Sequence, residues 1–282
     1  MSFAISLMLF AAAALASIPA QAGGFIQRLL DKPVPGGVAV IPLGNAPTAP
    51  TVTYRGHRTM VLRDEAGDWL AIVGIPLDVK PGVQAISVRT PEGTRTLDFS
   101  VRDKTYEAQH IRLRNKRQVN PTPADLARIE KELAEQTAAY RSYRERIPSN
   151  VLFDKPVDGG HLSSPFGLRR FFNGEPRNPH SGLDFAVPAG TPVKAPADGK
   201  VILVGDYFFN GKTIFLDHGQ GLISMFCHLS SIDVKPGQDV ARGGIVGRVG
   251  ATGRATGPHL HWNVSLNDAR VDPAIFIGAF KP

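Results

Sequence analysis

A chain of 282 residues with 43% hydrophobic and 20% charged side chains has the composition of a soluble globular protein and the length for two domains. Its formal charge of +7 suits an anionic partner; with no recognised nucleic-acid motif present, that partner is expected to be an anionic polymer or a lipid head group rather than nucleic acid. The single cysteine, Cys227, excludes an internal disulfide, and 29 glycines with 23 prolines favour short strands and many turns.

Phe3 to Ile18 is almost entirely apolar and runs into Pro19-Ala20-Gln21-Ala22, an A-x-A cleavage pattern. Residues 1–22 are therefore expected to be a secretory signal peptide. No Lys or Arg precedes the run, which leaves an uncleaved anchor as the competing reading, although about 16 apolar residues are short for a bilayer span. No other segment is apolar enough to span, so the mature chain is expected to carry no membrane span.

Residues 23–117 are expected to form a small β-sandwich. Val38 to Ile41, Thr51 to Tyr54, Trp69 to Val73, Gln84 to Arg89 and Arg95 to Val101 are short β-branched or aromatic runs. Pro35-Gly36-Gly37, Pro81-Gly82 and Pro91-Glu92-Gly93 are turn compositions between them. From Thr96 to Val101, apolar and polar residues alternate as in a half-solvated strand. Arg102, Lys104, Arg112, Arg114, Lys116 and Arg117 follow, either a solvated edge strand or a contact to an anionic polymer.

Residues 118–150 are expected to be a helical linker. The helix is predicted over Pro121 to Ile147, capped by Thr122, with Pro123 at its first position, Asp125 in its first turn and Pro148 as its stop. Leu126, Ile129, Leu133, Tyr140, Tyr143 and Ile147 form a stripe at helical spacing, expected to pack against the flanking domains.

Residues 151–282 return to short strands and contain six of the eight histidines. In Gly257-Pro258-His259-Leu260-His261-Trp262 a strand after a Gly-Pro turn puts His259 and His261 on one face. Such a pair can ligate a metal, or one member can ligate while the other handles a proton; H-x-H alone is as well explained by surface histidines. In His180-Ser181-Gly182-Leu183-Asp184, Gly182 and Pro179 disfavour a helix, so a loop entering a strand is expected to bring His180 back to Asp184. Two neutral imidazoles and a carboxylate are the donor set of catalytic zinc sites. His228, in Met225-Phe226-Cys227-His228-Leu229-Ser230, is by itself as readily a core histidine. His218 and His161 are expected to be structural, and a Cys227–His228 nucleophile pair is disfavoured because strand neighbours face opposite ways.

Taken in order, H-x-x-x-D, a histidine in a Cys-His-Leu-Ser stretch and Thr-Gly-Arg-Ala-Thr-Gly-Pro-His-Leu-His resemble the signature of the lysostaphin/LytM-type zinc peptidases. The resemblance runs from about Ser163 to Phe276 and includes Ser164-Pro165-Phe166-Gly167-Leu168-Arg169, Ala189-Gly190-Thr191-Pro192-Val193 and Asp217-His218-Gly219. It implies an antiparallel β peptidase domain of the LytM, duplicated-hybrid-motif type with a groove, behind an N-terminal β domain as in Gram-negative members. It implies one zinc per chain on His180, Asp184 and His261, with His228 and His259 as the two catalytic histidines that do not bind the metal. It also implies a periplasmic location, peptidoglycan as partner, and hydrolysis of its peptide cross-links at a D-alanyl–diaminopimelate bond. The family often has Tyr two residues before the first catalytic histidine; here that position is Phe226. The alternative of another class is a non-catalytic LytM-domain regulator that activates other wall hydrolases through periplasmic protein partners. Such regulators typically lose ligand or catalytic positions, and all five are filled in this sequence.

Overall fold

The computed structural model describes residues 24–282, so the expected signal peptide at residues 1–22 lies outside the described residues. Among these no helix is long and apolar enough to cross a membrane. A short helix absent from the sequence reading, α1 (Phe25–Leu30), comes first and buries Leu30. It leads into β1 (Val38–Gly44), β2 (Thr51–Tyr54), β3 (His57–Arg58), β4 (Met60–Arg63), β5 (Trp69–Gly74), β6 (Gly82–Thr90) and β7 (Gly93–Val101). These strands make two antiparallel sheets, ordered β1-β5-β4 and β3-β2-β6-β7. All five predicted strands are present, and β7 alternates as expected, with Leu97, Phe99 and Val101 on its inner face.

The β1-β5-β4 sheet is covered on both sides, which an isolated sandwich would not require. Ala39, Ile41, Val61, Ala71 and Val73 pack with Val52, Ile86 and Val88 of the other sheet. Val38, Val40, Met60, Leu62, Leu70 and Ile72 belong instead to the core of the C-terminal half, with Leu222, Trp262 and Leu266. Every residue of β5 is consequently buried. Each such aliphatic side chain contributes roughly 1.5–3 kcal/mol when fully buried. The two halves are therefore joined by a continuous apolar core.

Polar contacts fix the register of that junction. Asn267 Oδ1 accepts from Gly74 N–H (2.7 Å) and its Nδ2 donates to Gly74 O (3.1 Å), while Gln220 Oε1 accepts from Val61 N–H (2.8 Å). A Cβ on Gly74 would lie 2.5 Å from Leu266 O, so only glycine admits the approach. Asn267→Ala leaves both buried backbone groups of Gly74 unpaired and places alanine at φ 46°. The expected loss of stability is about 1–3 kcal/mol, read as a lower urea midpoint; an unchanged midpoint would contradict the assigned role of this clasp.

The chain continues through β8 (Ala108–Ile111) and α2 (Pro123–Tyr140) into β9 (His161–Ser164), β10 (Arg169–Phe172), β11 (Glu175–Pro176), β12 (Leu183–Ala186), β13 (Pro192–Lys194) and β14 (Gly199–Tyr207). It ends with β15 (Gly211–Gly219), β16 (Leu222–Ile232), β17 (Asp239–Val240), β18 (Ile245–Val249), β19 (Leu260–Leu266) and β20 (Ala269–Val271). An antiparallel sheet ordered β17-β14-β15-β16-β19-β12-β9, with β13, β18 and β20 attached, forms the body of the C-terminal half. An edge strand does lie within the basic stretch, since β8 pairs parallel with β10, but it contains none of the six basic residues; Arg112, Arg114 and Lys116 follow it and stay exposed.

Helix α2 starts as predicted. Thr122 Oγ1 accepts from Asp125 N–H (3.3 Å) and Asp125 Oδ2 accepts from Thr122 N–H (3.0 Å), a reciprocal capping box with Pro123 at the first position. It stops at Tyr140, not at Ile147. Beyond it, Arg144 Nε reaches the buried Asp217 Oδ2 (2.8 Å), and Arg144 O accepts from Gln220 N–H (2.8 Å). These tertiary bonds replace the helical ones. The expectation of a buried stripe is also corrected: Tyr140 packs edge-on against Phe215 at 5.0 Å, but Leu126 and Leu133 are 54% and 61% exposed.

His218 is structural, as expected. It is buried in β15, its Nδ1–H donates to Asp198 O (2.8 Å) and its Nε2 lies 2.9 Å from Ser224 Oγ. Burial pulls its pKa down to about 4. The folded state therefore binds fewer protons than the unfolded state between pH 6.5 and 4, and stability falls as pH drops through that window, by roughly 3 kcal/mol in all. Asp272, pushed up to about 6 by burial, acts with the opposite sign. The diagnostic quantity is thus the difference between wild type and His218→Asn in urea unfolding, which should shrink by about that amount from pH 7 to pH 4. A pH-independent difference would contradict a neutral buried imidazole.

Candidate metal centre

The backbone of the Ser164–Arg169 segment holds the first candidate ligand in place. His180 N–H donates to Leu168 O (2.9 Å), Gly167 N–H donates to His180 O (2.7 Å), and His180 Nδ1–H donates to Pro165 O (2.6 Å). With the proton on Nδ1, the Nε2 lone pair points to the opposite side. After the loop turns at Gly182, Asp184 enters β12, where it pairs with His261 of β19 in antiparallel register. Gly182 is required by packing: a Cβ there would lie 2.4 Å from Trp262 O and 2.9 Å from the His261 ring.

Three donor atoms converge as a result. His180 Nε2 is 3.0 Å from Asp184 Oδ1 and 3.0 Å from His261 Nδ1, and His261 Nδ1 is 2.8 Å from Asp184 Oδ1. All three residues are buried. Zinc–nitrogen and zinc–oxygen bonds of roughly 2.0–2.1 Å on a tetrahedron would set such atoms about 3.3 Å apart. The triangle is close to that size, and its atoms are lone-pair donors that repel one another unless they share a cation. The donor set and its spacing fit a zinc ion, and these three residues could hold it.

The electrostatics agree. Burial pushes the Asp184 carboxyl up, but His180 and His261 outweigh it and hold the group well below the ordinary carboxylate range. Burial pulls His261 down to about 4 against the pull of Asp184, and pulls His228 down to about 3 with the help of His259 and His261. The centre thus presents an ionised Asp184 carboxylate and a neutral His261 imidazole, the forms that bind metal.

His228 and His259 stand beside the cluster. Their ring centroids are 4.7 Å apart, His228 lies 6.1 Å from the His261 ring, and His259 Nε2 is 4.0 Å from Asp184 Oδ1. Each is fixed through Nδ1–H, His228 to Thr252 O (2.8 Å) and His259 to Gly257 O (2.9 Å), which leaves both Nε2 atoms as proton acceptors. Simple alternation does not place His228. Its φ is 60°, an uncommon left-handed conformation at a break in the β15–β16 pairing, and its ring lies 4.7 Å from that of His259. Cys227 beside it is buried, Thr213 Oγ1 lies 3.9 Å from its sulfur, and burial pushes its thiol up, so it is not a nucleophile. Leu260, Trp262 and Phe226 are fully buried in the core. His161 sits exposed in β9.

Residues that motif reading did not single out complete the surroundings. Arg170 Nη2 donates to Asp184 Oδ2 (2.8 Å), and its Nε donates to Gln109 Oε1 (3.1 Å). Arg170, His228 and Arg254 line two cavities, of about 500 Å³ and 300 Å³, so one groove passes over the centre. Helix α2 and Leu77 wall the larger side. Removal of Arg170 is expected to lower metal affinity about 10–100-fold, because the carboxylate loses the partner that orients it. Competition with a chelator measures this; an unchanged dissociation constant in Arg170→Ala would contradict it.

The chain matches peptidase family M23 over residues 178–273 and the M23 N-terminal domain over residues 31–104. A solved structure described as a peptidase M23 of Pseudomonas aeruginosa is 62% identical and superposes with a TM-score of 0.79, covering 91% of this chain and 100% of that one. The chain belongs to peptidase family M23. Among curated M23 relatives, "Peptidoglycan DD-endopeptidase ShyA" of Vibrio cholerae is 43% identical over 119 residues, 42% of this chain and 28% of the relative. "DD-carboxypeptidase/endopeptidase Mpg" of Neisseria meningitidis is 38% identical over 119 residues, 42% of this chain and 27% of the relative. The match therefore spans little more than a quarter of the length of these relatives. The mainly β architecture expected from the resemblance, a β N-terminal half and an antiparallel C-terminal sheet, is that of this M23 chain.

Proposed function

We propose that this M23 chain is a periplasmic zinc endopeptidase that hydrolyses peptide cross-links of bacterial peptidoglycan, at the D-alanyl–diaminopimelate bond. The observation that carries the reading is the convergence of His180, Asp184 and His261 with two further histidines that line the same groove. The names of the curated relatives supply the substrate class, and the net positive charge suits an anionic wall. Export through the N-terminal apolar segment belongs to the same proposal. So does the division into a β domain at residues 23–117, a helical linker at 118–150 and the peptidase domain at 151–282.

In this proposal His180, Asp184 and His261 hold one zinc per chain. Bound there, zinc supplies Lewis acidity, which brings the pKa of water toward roughly 7 and polarises the scissile carbonyl. His259 is assigned as the base that takes the proton of the attacking water, because its Nε2 is an acceptor beside the cluster and partly accessible. Once protonated, the same nitrogen donates to the departing amine. His228 Nε2 faces the same space and gains a hydrogen to donate to the developing oxyanion only when protonated. Arg170 orients Asp184 through its ion pair with the carboxylate.

The regulator reading draws no support from a site in which all five positions are filled and mutually oriented. Purified sacculi provide the test. The zinc-loaded protein should convert cross-linked dimers into monomers whose summed mass exceeds that of the dimer by one water. Zinc binding without any change in the muropeptide profile would overturn the enzymatic reading and favour the regulator.

A further inference from the structure

Arg254 is unlike the arginines around it. Arg170 is paired with Asp184 and Arg177 with Glu175, both within hydrogen-bond distance. The Arg254 guanidinium has no carboxylate partner and no hydrogen-bond acceptor among the described residues. It is held instead between two aromatic rings, 4.6 Å from the Phe172 centroid and 4.2 Å from that of Phe209. Its backbone N–H is tied to Phe209 O (2.7 Å), so the loop that carries it is fixed. It lines the groove on both sides of the metal cluster. Burial, together with Arg170 and Arg177, pulls its pKa down to about 10, which still leaves it charged at neutral pH.

A half-buried guanidinium with five donors and no protein acceptor is costly unless a ligand supplies the acceptors. Aromatic faces on either side hold the fork in orientation and keep water from its flanks. Planar bidentate donation of this kind matches a carboxylate. On the proposed substrate one carboxylate is always close to the reacting atoms: in the D-alanyl–diaminopimelate cross-link the carbon bonded to the scissile nitrogen carries it.

We infer that Arg254 is a specificity-determining residue that pairs with the substrate carboxylate next to the scissile amide nitrogen. The inference rests on the peptidase reading for the identity of the substrate. It predicts that the protein distinguishes a free carboxylate at this position from a carboxamide, and that the distinction resides in one side chain.

The test uses two cross-linked peptide dimers that differ only in that carboxylate or carboxamide. Zinc-loaded wild type should show a kcat/KM ratio of about 10- to 100-fold in favour of the carboxylate, the range for a charge-assisted pair. In R254Q the ratio should fall to within about threefold, and R254K, which keeps the charge and loses the fork, should fall between. A purely structural role for Arg254 would lower both rates and leave the ratio where it was, and that result would overturn the inference. A second readout needs no catalysis: calorimetric binding of the two dimers to metal-free protein should show the same preference in wild type and not in R254Q. If wild type cleaves neither dimer, the peptidase reading fails, and the binding preference still decides the role of Arg254. Equal binding of the two dimers to wild type would refute it.

Discussion

Replacing His261 with alanine is expected to release the metal and to lower cleavage of cross-linked peptides at least about 1,000-fold. His261 contributes one of three donor atoms, and the remaining pair, His180 Nε2 and Asp184 Oδ1, cannot hold zinc at a useful affinity. Nothing nearby can substitute, since the His228 and His259 rings are oriented through bonds to Thr252 O and Gly257 O. The fold should survive. The core beneath the site is built from Leu260, Trp262 and Val264, which stay in place, and Arg170 still compensates the Asp184 charge. Zinc per chain by atomic emission, a thermal melt and sacculus cleavage measured together separate loss of metal from loss of structure. A variant that keeps stoichiometric zinc would contradict the ligand assignment.

Replacing His228 with asparagine should do the opposite: zinc is retained near one per chain, while kcat falls about 10²- to 10⁴-fold, the usual worth of a positioned acid or base. Asparagine is the informative substitution because residue 228 has φ 60°. Asn tolerates the left-handed region, whereas alanine would add a backbone cost of about 1–2 kcal/mol that could be mistaken for a catalytic effect. Loss of zinc in this variant would make His228 a ligand, and an unchanged kcat would make it a bystander. Either outcome would remove it from the proposed mechanism.

Much of the scaffold is legible in the sequence because the signals are local. Alternation in Thr96–Val101, the turn compositions between strands and the Thr122–Asp125 capping box each act within a few residues, and the structure contains all of them. The misses are non-local. The apolar run of β5 gives no sign that its second face meets Leu222 and Leu266 of the other half, far away in the chain. Residues 141–147 have helical composition but follow Arg144–Asp217 and Arg146–Gly219 contacts instead.

The same division holds for the site. His180, Asp184, His228, His259 and His261 stand out because their spacing is a motif, and their convergence follows from the β12–β19 and β16–β19 pairings. Arg170 reaches Asp184 from β10 and is itself held by Gln109 of β8, with no pattern to announce either, and the left-handed turn at His228 cannot be inferred from alternation. Arg254 lies inside the most recognisable stretch of the chain. Its lack of a partner becomes visible only when Phe172 and Phe209 are seen on either side of it.

One metal ion on His180, Asp184 and His261 is what we propose makes this chain a peptidase. Stepwise addition of zinc to chelator-treated protein, with hydrolysis of a defined cross-linked dimer followed at each step, tests it most directly. Hydrolysis should be absent without metal, rise linearly with added zinc and reach a plateau at one zinc per chain. Full hydrolysis by the metal-free protein, or saturation with zinc without hydrolysis at any ratio, would contradict it.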